Sequence, residues 1–364
     1  MKRTTLMAVT VAAVLALVVT GCTPKDPGPT GLYRGVQADI HPVVTAEDRP
    51  VTWGSAPAID EHYGGTLYAD TPKQQPDPRP ALLAGGREPL RTWVADPRNG
   101  RTDRPAILWF HGGGFAVGID SMYGLANGTA KEYAQRGYVG FSFEYRTDTT
   151  LVGSGSSATA LCQWVQDNVD RSSQVWVDRK AQCERNIRAA GSDALAAVRW
   201  VRAHASEYGV DPDKIAIGGS SAGAVIADLV AYQHEDVGTT SYFAGDTRSV
   251  EKSKVQASFG ASGCLYGPDL MAPTTIGAGD SPISVIHSEF DQAVPYDRAA
   301  TTVKLARAKG LVAEMTSYCN QAGHAGALYR ANKAATDEQW TTFLVRQLGI
   351  YLDARPPTAK PLCT

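Results

Sequence analysis

The stretch Lys214-Ile215-Ala216-Ile217-Gly218-Gly219-Ser220-Ser221-Ala222-Gly223 decides how this chain folds. Lys214 to Gly218 is a short apolar run of buried-strand type, and Ala222 to Tyr232 reads as a buried helix. Between them lies Gly219-Ser220-Ser221-Ala222-Gly223, which has the form G-x-S-x-G. A serine hydroxyl at its ordinary pKa is a poor nucleophile and has to protrude toward a base. A tight strand-to-helix turn achieves this, and small residues two positions to either side let the chain fold that sharply. Ser221 is the central serine and the candidate nucleophile. The helix behind it also supplies a positive dipole end and free N–H groups.

Outward from this stretch, strands and helices alternate. Leu90 to Ala95, Ala106 to Phe110, Tyr138 to Phe143, Val255 to Phe259, Ile283 to Ile286 and Val312 to Met315 read as strands. Helices are predicted over Thr129 to Arg136, Asp193 to Tyr208, Tyr296 to Lys309 and Thr336 to Leu352. Such alternation implies an α/β fold, a mostly parallel sheet of eight strands with helices on both faces. One interval breaks the rhythm: about 45 residues separate Tyr145 from Asp193, and a loop that long is usually functional. It is read as a lid-like insertion over about 147–190, lying across the carboxyl edge of the sheet.

At the end of the Ala106–Phe110 strand stands His111-Gly112-Gly113-Gly114-Phe115. Three consecutive glycines leave backbone N–H groups unhindered, which suits the developing alkoxide of a tetrahedral intermediate. The triplet lacks the spacing of a dinucleotide fingerprint and the Lys-Ser/Thr of a P-loop.

Together these motifs resemble the α/β-hydrolases, in particular the hormone-sensitive-lipase-like carboxylesterases that carry the His-Gly-Gly-Gly loop. The resemblance covers roughly residues 88 to 352. It rests on His111 to Phe115, on Tyr145-Arg146, on Asp193 to Val201, and on Asp211-Pro212-Asp213-Lys214-Ile215 leading into the Ser221 turn. It implies an oxyanion hole formed by Gly113, Gly114 and the amide of Ala222, with His111 bracing the loop. The family usually follows its Tyr-Arg pair with Leu-Ala-Pro-Glu. Here the pair runs into the long insertion instead, so the walls of the substrate pocket differ.

A serine nucleophile needs a base and an orienting acid, in the chain order Ser, Asp/Glu, His. Of seven histidines, His41, His62, His111 and His204 precede Ser221. His234 is placed near the end of a helix, facing solvent, and His287 at the end of a strand, packed. His324, in the small-residue loop Gln321-Ala322-Gly323-His324-Ala325-Gly326, follows the last strand and is the candidate base. The acid belongs after the preceding strand. Asp291 fits the family's D-x-x-V-P pattern with Val294-Pro295, and Glu289, two residues closer to the strand, is the rival. The acid would hold His324 in one tautomer and stabilise its imidazolium. No metal-ligand spacing is present, and no cofactor is called for.

The N-terminus adds a location. Lys2 and Arg3 precede an apolar run from Leu6 to Val19, too short to span a membrane, which ends at Val19-Thr20-Gly21-Cys22. This resembles a bacterial lipobox. Residues 1–21 would be the signal peptide, Cys22 the lipidated first residue, 22–50 a proline-rich tether and 51–364 the catalytic domain. The protein would be exported and held at the outer face of the membrane by lipid alone; the alternative is plain secretion. An exported compartment permits disulfides. Cys162–Cys183 is the first candidate bridge and Cys319–Cys363 the second, which leaves Cys264 a buried thiol; Cys264–Cys319 is the competing pairing.

Composition excludes other classes. The 364 residues carry 35 basic and 37 acidic groups, a net charge of −2, which gives no basic excess for nucleic acid. A chain of this length, 43% hydrophobic, builds its own core without staples. The substrate would be a small-molecule or polymer-borne ester. Two other classes stay open at this point: a serine peptidase of the same fold and a non-catalytic binding module on that scaffold. The oligomeric state is not encoded legibly.

Overall fold

The continuous apolar runs of the sequence become the middle of one sheet. A computed structural model of the chain describes residues 34–36, 50–57, 87–97, 101–116, 128–147, 165, 167–234, 251–265 and 276–352. All of these fall in one unit, Tyr33–Thr364. The strands are β1 (Arg34–Val36), β2 (Pro50–Pro57), β3 (Arg87–Ala95), β4 (Arg104–Phe110), β5 (Val139–Phe143), β6 (Val210–Ser220), β7 (Ala257–Ala261), β8 (Ile283–Ser288), β9 (Ala313–Tyr318) and β10 (Tyr351–Leu352). The helices are α1 (128–135), α2 (Gln174–Ala203), α3 (Ala205–Tyr208), α4 (Ala222–Tyr232), α5 (Tyr296–Ala308), α6 (Ala325–Ala331) and α7 (Lys333–Gln347).

Eight strands form the main sheet in the order β2-β3-β5-β4-β6-β7-β8-β9. β3 runs against both of its neighbours, and every other pairing is parallel. Parallel strands are covered on both faces, which is why β4 and β5 are buried at every position. Alternate residues of one strand feed different cores. Leu108 and Phe110 pack on one face with Val198, Val201, Val225, Ile226 and Val303 of α2, α4 and α5. Ile107 and Trp109 pack on the other with Leu328, Trp340, Phe343 and Leu344 of α6 and α7. Burying one such side chain contributes about 1.5–3 kcal/mol.

The register brings the functional loops into one row. Phe110 lies opposite Gly219, Ser220 opposite Ala261, Ala261 opposite Ile286, and Ser288 opposite Tyr318. The segments leaving the carboxyl ends of β4, β6, β7, β8 and β9 therefore start level with one another. Parallel α/β sheets place their sites at this edge.

Three boundaries differ from the sequence expectation. The helix predicted from Asp193 begins 19 residues earlier, at Gln174, so the second part of the presumed 147–190 insertion is regular helix. Ser173 caps it, accepting from the Trp176 amide at 3.2 Å. The single predicted helix over Thr336–Leu352 is instead α7, preceded by α6. Asn332 separates the two, and Gly349, at φ 57°, ends α7 so that Tyr351–Leu352 become β10. That strand pairs in parallel with Arg34–Val36, which lies within the stretch read as tether.

Candidate active site

Ser221 occupies the turn between β6 and α4 with φ 56° and ψ −122°, a conformation non-glycine residues rarely adopt. The flanking glycines explain how the turn closes. A Cβ at Gly219 would sit 2.2 Å from the carbonyl carbon of Gly223, and one at Gly223 would sit 2.0 Å from the carbonyl oxygen of Phe110. The Ser221 amide donates to the Ala261 carbonyl at 2.9 Å, and the Ser221 carbonyl accepts from Val225 at 3.0 Å, which starts α4.

The hydroxyl meets the predicted base. Ser221 Oγ lies 2.8 Å from His324 Nε2. On the other side of the ring, His324 Nδ1 lies 2.8 Å from Asp291 Oδ2 and 2.9 Å from Oδ1. An ionised carboxylate can only accept, so Nδ1 carries the proton and Nε2 faces Ser221 with its lone pair. Burial works against ionisation of Asp291. His324, the Ser262 hydroxyl and the Val294 amide outweigh burial and hold the carboxyl below its ordinary range. Asp291 Oδ1 also accepts from the amides of Ala293 at 2.9 Å and Val294 at 3.1 Å, so the turn into α5 aims the carboxylate. Glu289 goes elsewhere. It is exposed, and its Oε2 accepts from the Asn320 amide at 2.9 Å.

The glycine loop lies against Ser221. A Cβ at Gly112 would be 3.3 Å from the Cβ of Ser221. Gly113 and Gly114 have φ of 110° and 64°, which a side chain would resist, and the Ala116 amide closes the turn on the Gly113 carbonyl at 3.0 Å. Two groups grip the Gly112 carbonyl: His111 Nδ1 at 2.6 Å and the Tyr145 hydroxyl at 3.3 Å, which also donates to the His111 carbonyl at 2.9 Å. Burial drives the His111 pKa down to about 4, partly offset by Gly112, so the ring is neutral and donates through Nδ1–H. Tyr145 stacks on that ring with centroids 4.3 Å apart. A planar peptide points its N–H away from its C=O. Holding the Gly112 carbonyl on one side therefore turns the Gly113 N–H to the other.

Comparison with known proteins fits this geometry. Residues 172–268, which include α2, Ser221 and β7, match the family model BD-FAE. Esterase LipI of Mycobacterium tuberculosis is 29% identical over 175 residues, covering 46% of this chain and 43% of its own. Carboxylesterase NlhH of the same species is 28% identical over 212 residues, covering 55% and 53%. The matched stretches thus span about half or less of these relatives. Among solved structures, the apo form of Thermogutta terrifontis esterase 2 superposes with a TM-score of 0.51 at 23% identity, over 71% of this chain and 90% of that one.

The fold is the α/β-hydrolase fold.

Within this fold, the Tyr145-Arg146 pair has a clear physical place. Arg146 is fully buried, and its guanidinium meets Asp193 of α2 at 2.8 Å, while its amide donates to the same carboxylate at 2.7 Å. The pair thus ties the glycine loop, through Tyr145, to the helix behind it. His287 is packed, as expected, with Nε2 3.0 Å from the Val294 carbonyl and 3.5 Å from Asp291. His234 is half-buried beside Asp280 at 3.5 Å rather than facing solvent. Ser262, which sequence reasoning missed, touches both Asp291 and the His324 loop. Its only signal was a serine directly after a strand of the core.

The cysteines depart from expectation. Cys319 is an exposed free thiol at the end of β9, so neither the bridge to Cys363 nor the competing bridge to Cys264 is made. Exposure is the reason for the second: Cys319 faces solvent while Cys264 is fully buried. Cys22, Cys162 and Cys363 lie outside the described residues, and so does the side chain of Cys183. Among the described residues, no group of three His, Cys, Asp or Glu is placed to hold a metal ion, and no helix is long and apolar enough to cross a membrane.

Proposed function

We propose that this protein is a serine hydrolase that cleaves carboxylic esters through an acyl-enzyme. The observation that carries the reading is the continuous relay from Asp291 through His324 to Ser221, with contacts of 2.8 Å on both sides of the imidazole. His324 Nε2 takes the Ser221 proton as Oγ attacks the ester carbonyl carbon. The carbonyl oxygen becomes an oxyanion, received by the amides of Gly113, Gly114 and Ala222. Each such donor is worth about 10²–10³ in rate. The imidazolium, stabilised by Asp291, returns its proton to the departing alcohol as the tetrahedral intermediate collapses. Water then enters, gives its proton to His324 and attacks the acyl carbon; collapse releases the acid and restores Ser221.

The named esterase relatives support the choice of esters over peptides. The test is a panel of p-nitrophenyl esters of rising acyl length set beside peptide p-nitroanilides. Hydrolysis of the esters with a pre-steady-state burst is expected. Turnover of the anilides alone would assign the same relay to a peptidase, and no turnover of either class would leave only the binding-module reading.

The place of action is proposed on the N-terminal sequence alone. Cys22 would carry the lipid and hold the enzyme at the outer face of the bacterial cell membrane. Cys22→Ser should abolish labelling by radioactive palmitate and release the protein from membranes. A variant still anchored and processed normally would contradict this.

A further inference from the structure

One buried residue, Ser262, lies beside Asp291 and holds the loop that carries His324. This residue lies just past β7, is fully buried, and has a left-handed φ of 57°. Its amide donates to the Ile286 carbonyl of β8 at 2.9 Å, and the preceding Ala261 carbonyl takes the Ser221 amide at 2.9 Å. Its hydroxyl accepts from the Ala325 amide at 2.9 Å, directly after His324, and lies near enough to the Asp291 carboxyl to help hold its pKa down. Ala325 is itself at φ 44°. Two consecutive residues thus meet the surroundings of the relay: Ala261 the Ser221 amide, and Ser262 the acid and the residue after the histidine.

We propose that Ser262 is a positioning residue whose hydroxyl fixes the Asp291 carboxylate and the His324 loop relative to each other and to Ser221. This rests on the ester-hydrolase reading above. A left-handed non-glycine residue persists only where its surroundings over-determine it. Glycine takes that backbone more readily, so what serine adds here is the hydroxyl. The hydroxyl accepts from the Ala325 amide, which leaves its one proton to turn toward the neighbouring Asp291 carboxylate. Ser288 Oγ reinforces the same loop by donating to the Gly323 carbonyl. Ser288 does not reach the Asp291 carboxylate among the contacts described, so it anchors the loop without coupling acid to base.

A shift of about 1 Å in a reacting group costs up to about a hundredfold in rate. Loss of the Ser262 hydroxyl loosens acid and base together. It leaves the pocket walls and oxyanion donors in place, so the effect falls on kcat. The experiment uses the full chain with p-nitrophenyl butyrate, comparing S262A and S262G with wild type and with S258A. S262G eases the strained backbone while removing the hydroxyl, so a purely structural role would leave it active. Ser258 lies on β7, equally buried, beside Asp228 rather than the relay.

Both Ser262 variants are expected to lose about ten- to a hundredfold in kcat with KM within about twofold. Each should react correspondingly more slowly with a fluorophosphonate, while S258A stays near wild type. Wild-type kcat in folded S262G would overturn the proposal, as would a loss expressed in KM. A wild-type enzyme that neither turns over the ester nor labels at Ser221 would instead overturn the hydrolase reading, and with it this inference.

Discussion

Asp228 carries the largest predicted effect on stability. It lies two turns along α4 from Ser221, is 2% exposed, and has the Ser258 hydroxyl at 3.5 Å. Burial pushes its pKa up from 3.8 to about 8, with Ser258 pulling weakly the other way. The same carboxyl, with Asp280, helps burial push the Tyr232 hydroxyl upward. In the unfolded chain Asp228 ionises near 3.8, in the folded chain near 8. Folding therefore takes up a proton between those values. Stability is full below about pH 4, falls as pH rises through this window, and levels off above about pH 8. At about 1.4 kcal/mol per pH unit, the total loss is on the order of 5 kcal/mol. That is a large share of an ordinary domain's stability. Asp228→Asn keeps the shape and stays neutral, which removes this dependence. The variant should melt roughly 5–10 °C above wild type near pH 8, and the difference should shrink toward acid and close near pH 4. Thermal and urea unfolding of both proteins across this range measures it. A difference independent of pH, or one that grows toward acid, would refute the reasoning.

Other substitutions separate the remaining roles. Asp291→Asn should lower kcat about 10⁴-fold with little change in KM, because it favours the wrong His324 tautomer. Glu289→Gln should stay within about threefold of wild type, since Glu289 holds the Asn320 amide and not the histidine. Steady-state kinetics on one ester decides both. Asp193→Asn strands the buried Arg146 guanidinium and should cost about 3–5 kcal/mol in urea unfolding. Tyr145→Phe frees the Gly112 carbonyl from one of its two clamps and should lower kcat about tenfold while KM holds, read from the same assay.

Much of this was legible before any coordinates. The Ser221 turn could be read because its constraint is local: a sharp strand-to-helix bend demands small residues at 219 and 223, and those positions collide with Gly223 and Phe110 when a Cβ is added. His324 followed from chain order, since four of the seven histidines precede the nucleophile. Asp291 and Glu289 could not be separated by spacing alone, because two residues on a turn sit close in sequence and aim apart in space. The start of α2 was missed for a tertiary reason. Gly191 sits inside the helix, where a Cβ would press on Leu229, and Asp193, where the sequence pattern starts the helix, is committed to Arg146. Ser262 carries no motif. Its partners lie 29 and 63 residues away, and only the registers of β7, β8 and β9 bring them together.

The central claim is that Ser221 is the nucleophile activated by His324. Its most direct test is incubation of the full chain with a fluorophosphonate, followed by intact mass and peptide mapping. One adduct per chain, on Ser221, is predicted, with none on Ser221→Ala and labelling slowed by orders of magnitude on His324→Ala. An adduct on Ser220 or any other serine, or an unlabelled wild-type protein that still hydrolyses esters, would contradict it.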